Sequence, residues 1–394
     1  MFDLVIDNAR IYPLEQDLSN LPARTMAVAE GRIAAFGIEP SAPSRFRLDA
    51  HDRAILPGLV DCHTHAVFAG DRLDEYLARL AGADYASQNR AGGGILSTVA
   101  ATRRASFSEL LDCSLKHVAP LVAEGVTTLE IKSGYGLDRD SEIKILTVAA
   151  AMGPILKTRI VPTFMGAHTV PARMEREPYL AWVADEMLPD LVASGLTRSV
   201  DIFVDPIAFT LADLDRLFER ASALSCGLHA HTDQLGHTGA TGQAARWGAR
   251  SCDHLEHAQH EDVEALAQSG TVAVLLPVAS TFLGQAPHPP IEALREAGVP
   301  IAIASDLNPG TAPVASLLWS ASLSIRLWGL SPAEALFGVT RHAAHALDPD
   351  ADYGTLAVGQ SADFGIWDIP CPESLLYAPA SHRPVMSFFK GEHR

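Results

Sequence analysis

Residues 125–168, GVTTLEIKSGYGLDRDSEIKILTVAAAMGPILKTRIVPTFMGAH, hold one unit of the pattern that sets the fold. "GVTTLEIKSGYG" and "TRIVPTFMGAH" are short β-branched and apolar runs ending in glycine or polar residues, as strands do. Between them, "SEIKILTVAAAMG" has the apolar spacing of an amphipathic helix. The same alternation extends outward in both directions. "LPGLVDCHTHAVF" (56–68) precedes it, and "SVDIFVDPI", "CGLHAHTDQ", "RSCDHLEH", "GTVAVLLPVAS" and "VPIAIASDLNPG" follow, which makes eight strands. The helical stretches among them include "LADLDRLFERASALS", "HEDVEALAQSG" and "PIEALREAG", several ending at a glycine suited to a left-handed cap. Eight such alternations predict an α/β fold, a (β/α)8 TIM-type barrel over residues 56–349. An open doubly wound sheet has the same local pattern and is the alternative.

Residues 1–55 and 350–394 read differently. "FDLVIDNARIY", "TMAVAEGRIAAFG", "GTLAVGQSADFGIWD" and "PVMSFFKGEHR" are short alternating strands without barrel-type helices. Strands at both ends of a barrel most simply join in one composite β-domain, a small β-sandwich.

Composition narrows the function. The 394 residues are 48% hydrophobic and carry a net charge of −17, which argues against nucleic acid or an anionic membrane as the main partner. No run is long enough to span a bilayer, and "MFDLVIDNARIYP" lacks the basic start of a signal peptide, so a cytoplasmic location is expected. The five cysteines are scattered and include no C-x-x-C pair, so neither a disulfide framework nor a cysteine zinc site is expected.

The chemistry lies at the strand ends. Residues two apart on a strand face the same side, so His63 and His65 can reach one point. They sit at the C-terminal end of their strand, where barrels build active sites. One H-x-H among 16 histidines is weak evidence. Repetition strengthens it, because His231, His254 and Asp306 fall at the same end of later strands. Imidazoles with one carboxylate suit zinc or ferrous iron.

This set is similar to that of the amidohydrolase superfamily, with H-x-H on strand one, a histidine on each of strands five and six, and an aspartate closing strand eight. The finer motifs resemble the imidazolonepropionase family: "HTHAVFAGDR", "AGGGILSTV", "EIKSGYGLD", "FMGAHTVP", "TDQL", "DHLEH" and "SDLNPG" occur in order across roughly residues 56–345. The resemblance implies a metal-dependent hydrolase that opens the cyclic amide of 4-imidazolone-5-propanoate to N-formimino-L-glutamate. It implies His63, His65, His231 and Asp306 as metal ligands, with one Zn²⁺ or Fe ion per chain. His254 and Asp306 would share the catalytic proton work, and which is the main acceptor stays open. The substrate, a small molecule with a carboxylate tail, would meet Arg72, Tyr85, Tyr135, His168, Asn308, Gly310 and Thr311. A homodimer is a further implication.

Four positions depart from the family's pattern or bear on alternatives. His229 creates a second H-x-H with His231; the adjacent "TDQL" favours His231 as the ligand. "DIFVD" carries Val204 and Asp205 where cysteine and glutamate are common. Gln234 stands where related deaminases place a glutamate, and an amide cannot shuttle a proton as a carboxyl does. Gln234 therefore argues against ring deamination and is expected to hydrogen-bond the substrate ring. The complete ligand set argues against a non-catalytic barrel. Strand four contains no lysine to bridge two metals, so a single metal is expected.

Overall fold

The computed structural model describes residues 1–82, 94–284 and 287–394. The first six strands are β1 (Phe2–Asp7), β2 (Arg10–Ile11), β3 (Met26–Ala29), β4 (Arg32–Phe36), β5 (Ser44–Asp49) and β6 (Ala54–Pro57). The barrel strands are β7 (Leu59–Asp61), β8 (Val126–Lys132), β9 (Arg159–Ala167), β10 (Ser199–Val204), β11 (Gly227–Thr232), β12 (Ser251–His254), β13 (Val272–Leu275) and β14 (Ile301–Ile303). Three more follow: β15 (Phe364–Trp367), β16 (Met386–Phe389) and β17 (Glu392–His393).

The terminal strands form two sheets. One, ordered β4-β3-β1-β5, uses N-terminal residues alone; the other, β17-β16-β15-β6-β2, draws on both ends of the chain. Ile6, Met26 and Ile33 from the first share an apolar cluster with Ile11, Ile55, Phe364 and Phe388 from the second, so the sheets enclose one small core. The chain passes from this sandwich into the barrel at Gly58, between β6 and β7. A Cβ there would lie 2.1 Å from Thr127 Oγ1, and only glycine fits without displacement.

Strands β7 to β14 pair in sequence order, every neighbouring pair parallel. That order excludes the doubly wound sheet, whose strand order reverses part-way. The ring closes just past the ends of β7 and β14. Thr64 bridges Leu307, His65 N–H donates to the Leu307 carbonyl at 2.9 Å, and Asp306 N–H donates to the His63 carbonyl at 3.0 Å. The helix Arg139–Leu156 packs on β8 and β9, and Leu211–Ala223 on β10 and β11.

Strand β8 shows how sequence divides between the two faces. All seven residues are buried. Leu129 and Ile131 join the apolar layer of the main core. The alternate residues Glu130 and Lys132 turn into the barrel, where Lys132 meets side chains from β10 and β12. At the opposite end of the barrel, Arg159 anchors the C-terminal segment. Its Nη1 is 2.7 Å from Asp363 Oδ2, and its guanidinium lies 4.1 Å from the Tyr353 ring centroid. Among the described residues, no helix is long and apolar enough to cross a membrane.

Candidate active site

Three imidazoles converge at the C-terminal mouth of the barrel. Ligand atoms of His63, His65 and His231 lie within 4.8 Å of one another. His65 Nε2 is 3.2 Å from His231 Nε2. Asp306 Oδ1 is 3.5 Å from His63 Nε2 and 3.7 Å from His65 Nε2. Two ligand atoms bound to one tetrahedral metal stand about 3.3 Å apart, so these separations fit a shared cation. His63 Nε2 is buried without a hydrogen-bond partner, as an atom meant for a metal would be in a protein structure carrying none. Burial holds the His63 and His65 imidazoles well below the usual histidine range, which leaves them neutral with lone pairs to donate. Burial drives the Asp306 carboxyl well above its ordinary value, a cost that a bound cation would reverse.

The backbone is strained where it presents these groups. Asp306 has φ 52° and His254 φ 83°, left-handed values that cost a non-glycine residue on the order of 1–3 kcal/mol. Asp306 is held there by its N–H bond to His63, and its carbonyl accepts from Asn308 Nδ2 at 2.7 Å. The Asn308 amide oxygen accepts from Gly310 N and Thr311 N, both at 2.8 Å, so its side chain builds the turn that carries Asp306.

A charged layer lies beneath the imidazoles. His63 Nδ1 is 2.6 Å from Asp253 Oδ2, and His231 Nδ1 is 3.0 Å from Asp201 Oδ1. A carboxylate on the distal nitrogen keeps the proton there and turns Nε2 outward. Lys132 Nζ lies 2.7 Å from Asp201 Oδ2, 2.9 Å from Glu130 Oε2 and 3.5 Å from Asp253 Oδ2. Burial alone would lower this ammonium, but Asp201, Glu130 and Asp253 together raise it well above the usual lysine range. His229 sits two residues deeper on β11, opposite Ser251 in the ladder, with its Nδ1 3.0 Å from Ser251 Oγ, and is not in the converging cluster.

Over the imidazoles opens a cavity of about 340 Å³. Its walls include His65, His231, His254 and Asp306, and also Arg72, Tyr135, His168, Gln234, Asn308 and Thr311. His168 stacks on His65 at 4.9 Å, and burial pushes its imidazole down to about 3. Arg72 is 8% exposed and donates to Glu75 Oε2 from Nε at 2.8 Å and from Nη2 at 2.6 Å. A Cβ on Gly310 would lie 2.2 Å from Arg72 Nη1, so the glycine gives the guanidinium its place. Tyr85 lies outside the described residues.

Residues 54–392 match the Amidohydrolase family. An imidazolonepropionase of Ectopseudomonas mendocina (strain ymp) is 45% identical over 381 residues, covering 94% of this chain and 93% of that one. Another, from Bradyrhizobium sp. (strain BTAi1 / ATCC BAA-1182), is 44% identical and covers 95% of each. The chain belongs to the imidazolonepropionase family of amidohydrolases. It is therefore a hydrolase of carbon–nitrogen bonds. Among solved structures, an adenosine deaminase from Xanthomonas campestris with bound zinc covers all of this chain and 92% of its own at a TM-score of 0.73 and 19% identity, a likeness of fold.

Against the family's pattern, Asp205 takes a definite place. Its Oδ2 accepts from Leu235 N at 2.9 Å, which braces the loop carrying Gln234 at the cavity wall. Glu256, bonded to Ser280 Oγ, stands behind His254 with Oε2 4.0 Å from Nδ1. Sequence reasoning gave no role to Lys132, Glu130, Asp201, Asp253 or Glu256. A signal was available in "EIK" and "VDIF", where charged residues interrupt strands that otherwise read as fully buried.

Proposed function

We propose that this chain is an imidazolonepropionase, hydrolysing the cyclic amide C–N bond of 4-imidazolone-5-propanoate to N-formimino-L-glutamate. The observation that carries this is near-full-length identity of about 45% to proteins of that name, joined to a cavity that pairs the imidazole cluster with an arginine. His63, His65, His231 and Asp306 would hold one Zn²⁺ or Fe ion. When bound, the metal would supply Lewis acidity and a water acidified to near neutral pH. A single ion is favoured because β10 offers no lysine and the neighbouring carboxylates Asp201 and Asp253 are already engaged by Lys132.

The chain's own groups divide the remaining work. Asp306 takes the proton of the attacking water, and His254 polarises the amide carbonyl from the cavity wall. Arg72, with Tyr85, pairs with the propionate, since a guanidinium fork suits both carboxylate oxygens. Gln234, His168 and Tyr135 contact the ring, while Asn308, Gly310 and Thr311 shape the turn beside it. Gln234 lacks the carboxyl that ring deamination would use, which favours ring opening. The test is to mix purified, metal-replete protein with freshly prepared 4-imidazolone-5-propanoate and follow N-formimino-L-glutamate by mass spectrometry. Substrate consumed without that product, or not consumed at all, refutes the assignment.

A further inference from the structure

We infer that Lys132 is a positioning residue of the metal site: by holding Asp253 and Asp201 it sets the ring orientations of His63 and His231. This rests on the reading of those two histidines as ligands. Lys132 is not among the residues lining the cavity, yet its ammonium reaches both of the carboxylates that bond the imidazoles. Asp201 bonds Lys132 through Oδ2 at 2.7 Å and His231 through Oδ1 at 3.0 Å. Asp253 uses a single oxygen, Oδ2, 3.5 Å from Nζ and 2.6 Å from His63 Nδ1. Glu130 completes the setting at 2.9 Å and is itself fixed by the Thr163 hydroxyl at 2.5 Å. One ammonium thus links β8, β10 and β12, and through two carboxylates reaches His63 beyond β7 and His231 on β11.

Packing alone does not ask for a lysine here. Apolar side chains replacing Lys132, Glu130, Asp201 and Asp253 together would fill the space without the desolvation cost of a buried ion cluster. Two functional roles remain, and they differ in sign. As a mere nearby charge, Lys132 repels a metal cation, so its loss would tighten binding. As the anchor of Asp253 and Asp201, it holds the ring planes on the metal, so its loss would loosen binding.

The test uses cobalt(II) as the bound metal, read by its d–d absorption and by the rate of its release to excess EDTA. Lys132→Met is expected to shift the d–d bands and speed release about 10–100-fold, the range typical for outer-sphere partners of metal ligands. Asp253→Asn, which conserves side-chain size, is expected to act in the same direction. The two changes combined should give less than the product of their separate effects, because they act along one chain of contacts. Release from Lys132→Met that is unchanged or slower, or effects that multiply in the double variant, overturns the inference. Unchanged bands and release in Asp253→Asn overturn it as well, whether or not Lys132→Met yields folded protein. His63→Ala that still binds cobalt with wild-type bands would instead refute the ligand reading itself.

Discussion

Replacing Arg72 with methionine separates tail recognition from catalysis. The Arg72 guanidinium is nearly buried at the cavity wall, two of its nitrogens bonded to Glu75 and Nη1 packed at Gly310. Truncating one partner of a desolvated, hydrogen-bonded charge pair costs about 2–5 kcal/mol. Glu75 already shares this guanidinium and is itself held by Gly94 N and Ser97 Oγ at 2.9 and 3.2 Å. The substrate carboxylate therefore receives only part of the charge, which places the loss in the lower half of that range, about 2–3 kcal/mol. At about 1.4 kcal/mol per factor of ten, kcat/KM for 4-imidazolone-5-propanoate should fall roughly 30- to 150-fold. The slow hydrolysis of an imidazolone without the propionate should barely change. Arg72→Met also takes the guanidinium away from Glu75, so Arg72→Met with Glu75→Gln is the control, and the two should discriminate against the tail equally poorly. Steady-state kinetics on both substrates decide the matter. Equal losses on both mean that Arg72 shapes the site generally; no loss on either means that the guanidinium does not read the tail.

Active protein should carry one equivalent of tightly bound metal per chain; His63→Ala and His231→Ala should empty the site, whereas His254→Ala keeps the metal and loses turnover, all read by elemental analysis beside activity. Gly310→Ala should raise KM for the tailed substrate with kcat nearly intact, because the new methyl would sit 2.2 Å from Arg72 Nη1 and 2.9 Å from Cζ; an unchanged KM would show that the guanidinium yields freely. Burial pushes the Asp205 carboxyl up to about 6 from its ordinary 3.8. The folded chain therefore binds that proton more tightly than the unfolded one, and this contribution to stability is lost as pH rises from 3.8 through about 6. Asp205→Asn, which can still accept from Leu235 N–H, should then raise Tm at pH 8 and leave it unchanged at pH 4. An equal shift at both values would assign the effect to packing.

The barrel was legible because each β and α run repeats a local rule, and eight repetitions leave few closed arrangements. His63, His65 and Asp306 were legible for a related reason: in a barrel, the polar end of a strand is a position in space as well as in sequence. Lys132, Asp201 and Asp253 were not read, since their meaning lies in which strands stand across from one another inside the ring. That opposition is set by stagger and tilt, which no window of residues encodes. Arg72 was read as a residue that meets the substrate; in the structure its guanidinium lines the cavity and also binds Glu75, a partner that the sequence did not announce.

The seam that closes the barrel runs through the proposed ligands themselves: the backbone of His63 accepts from Asp306, and that of His65 donates to Leu307. These residues are separated by more than 240 positions in the chain, so during synthesis the first two ligands wait, half-built, until the eighth strand emerges and docks. A nascent or truncated chain ending before residue 306 can display the H-x-H pair but cannot gather the complete set. Metal capture is thereby tied to completion of the ring, and whatever binding energy the ion contributes goes to the finished fold in preference to any partial one. A cell that withholds the metal would weaken the same seam by which the first and last strands recognise each other.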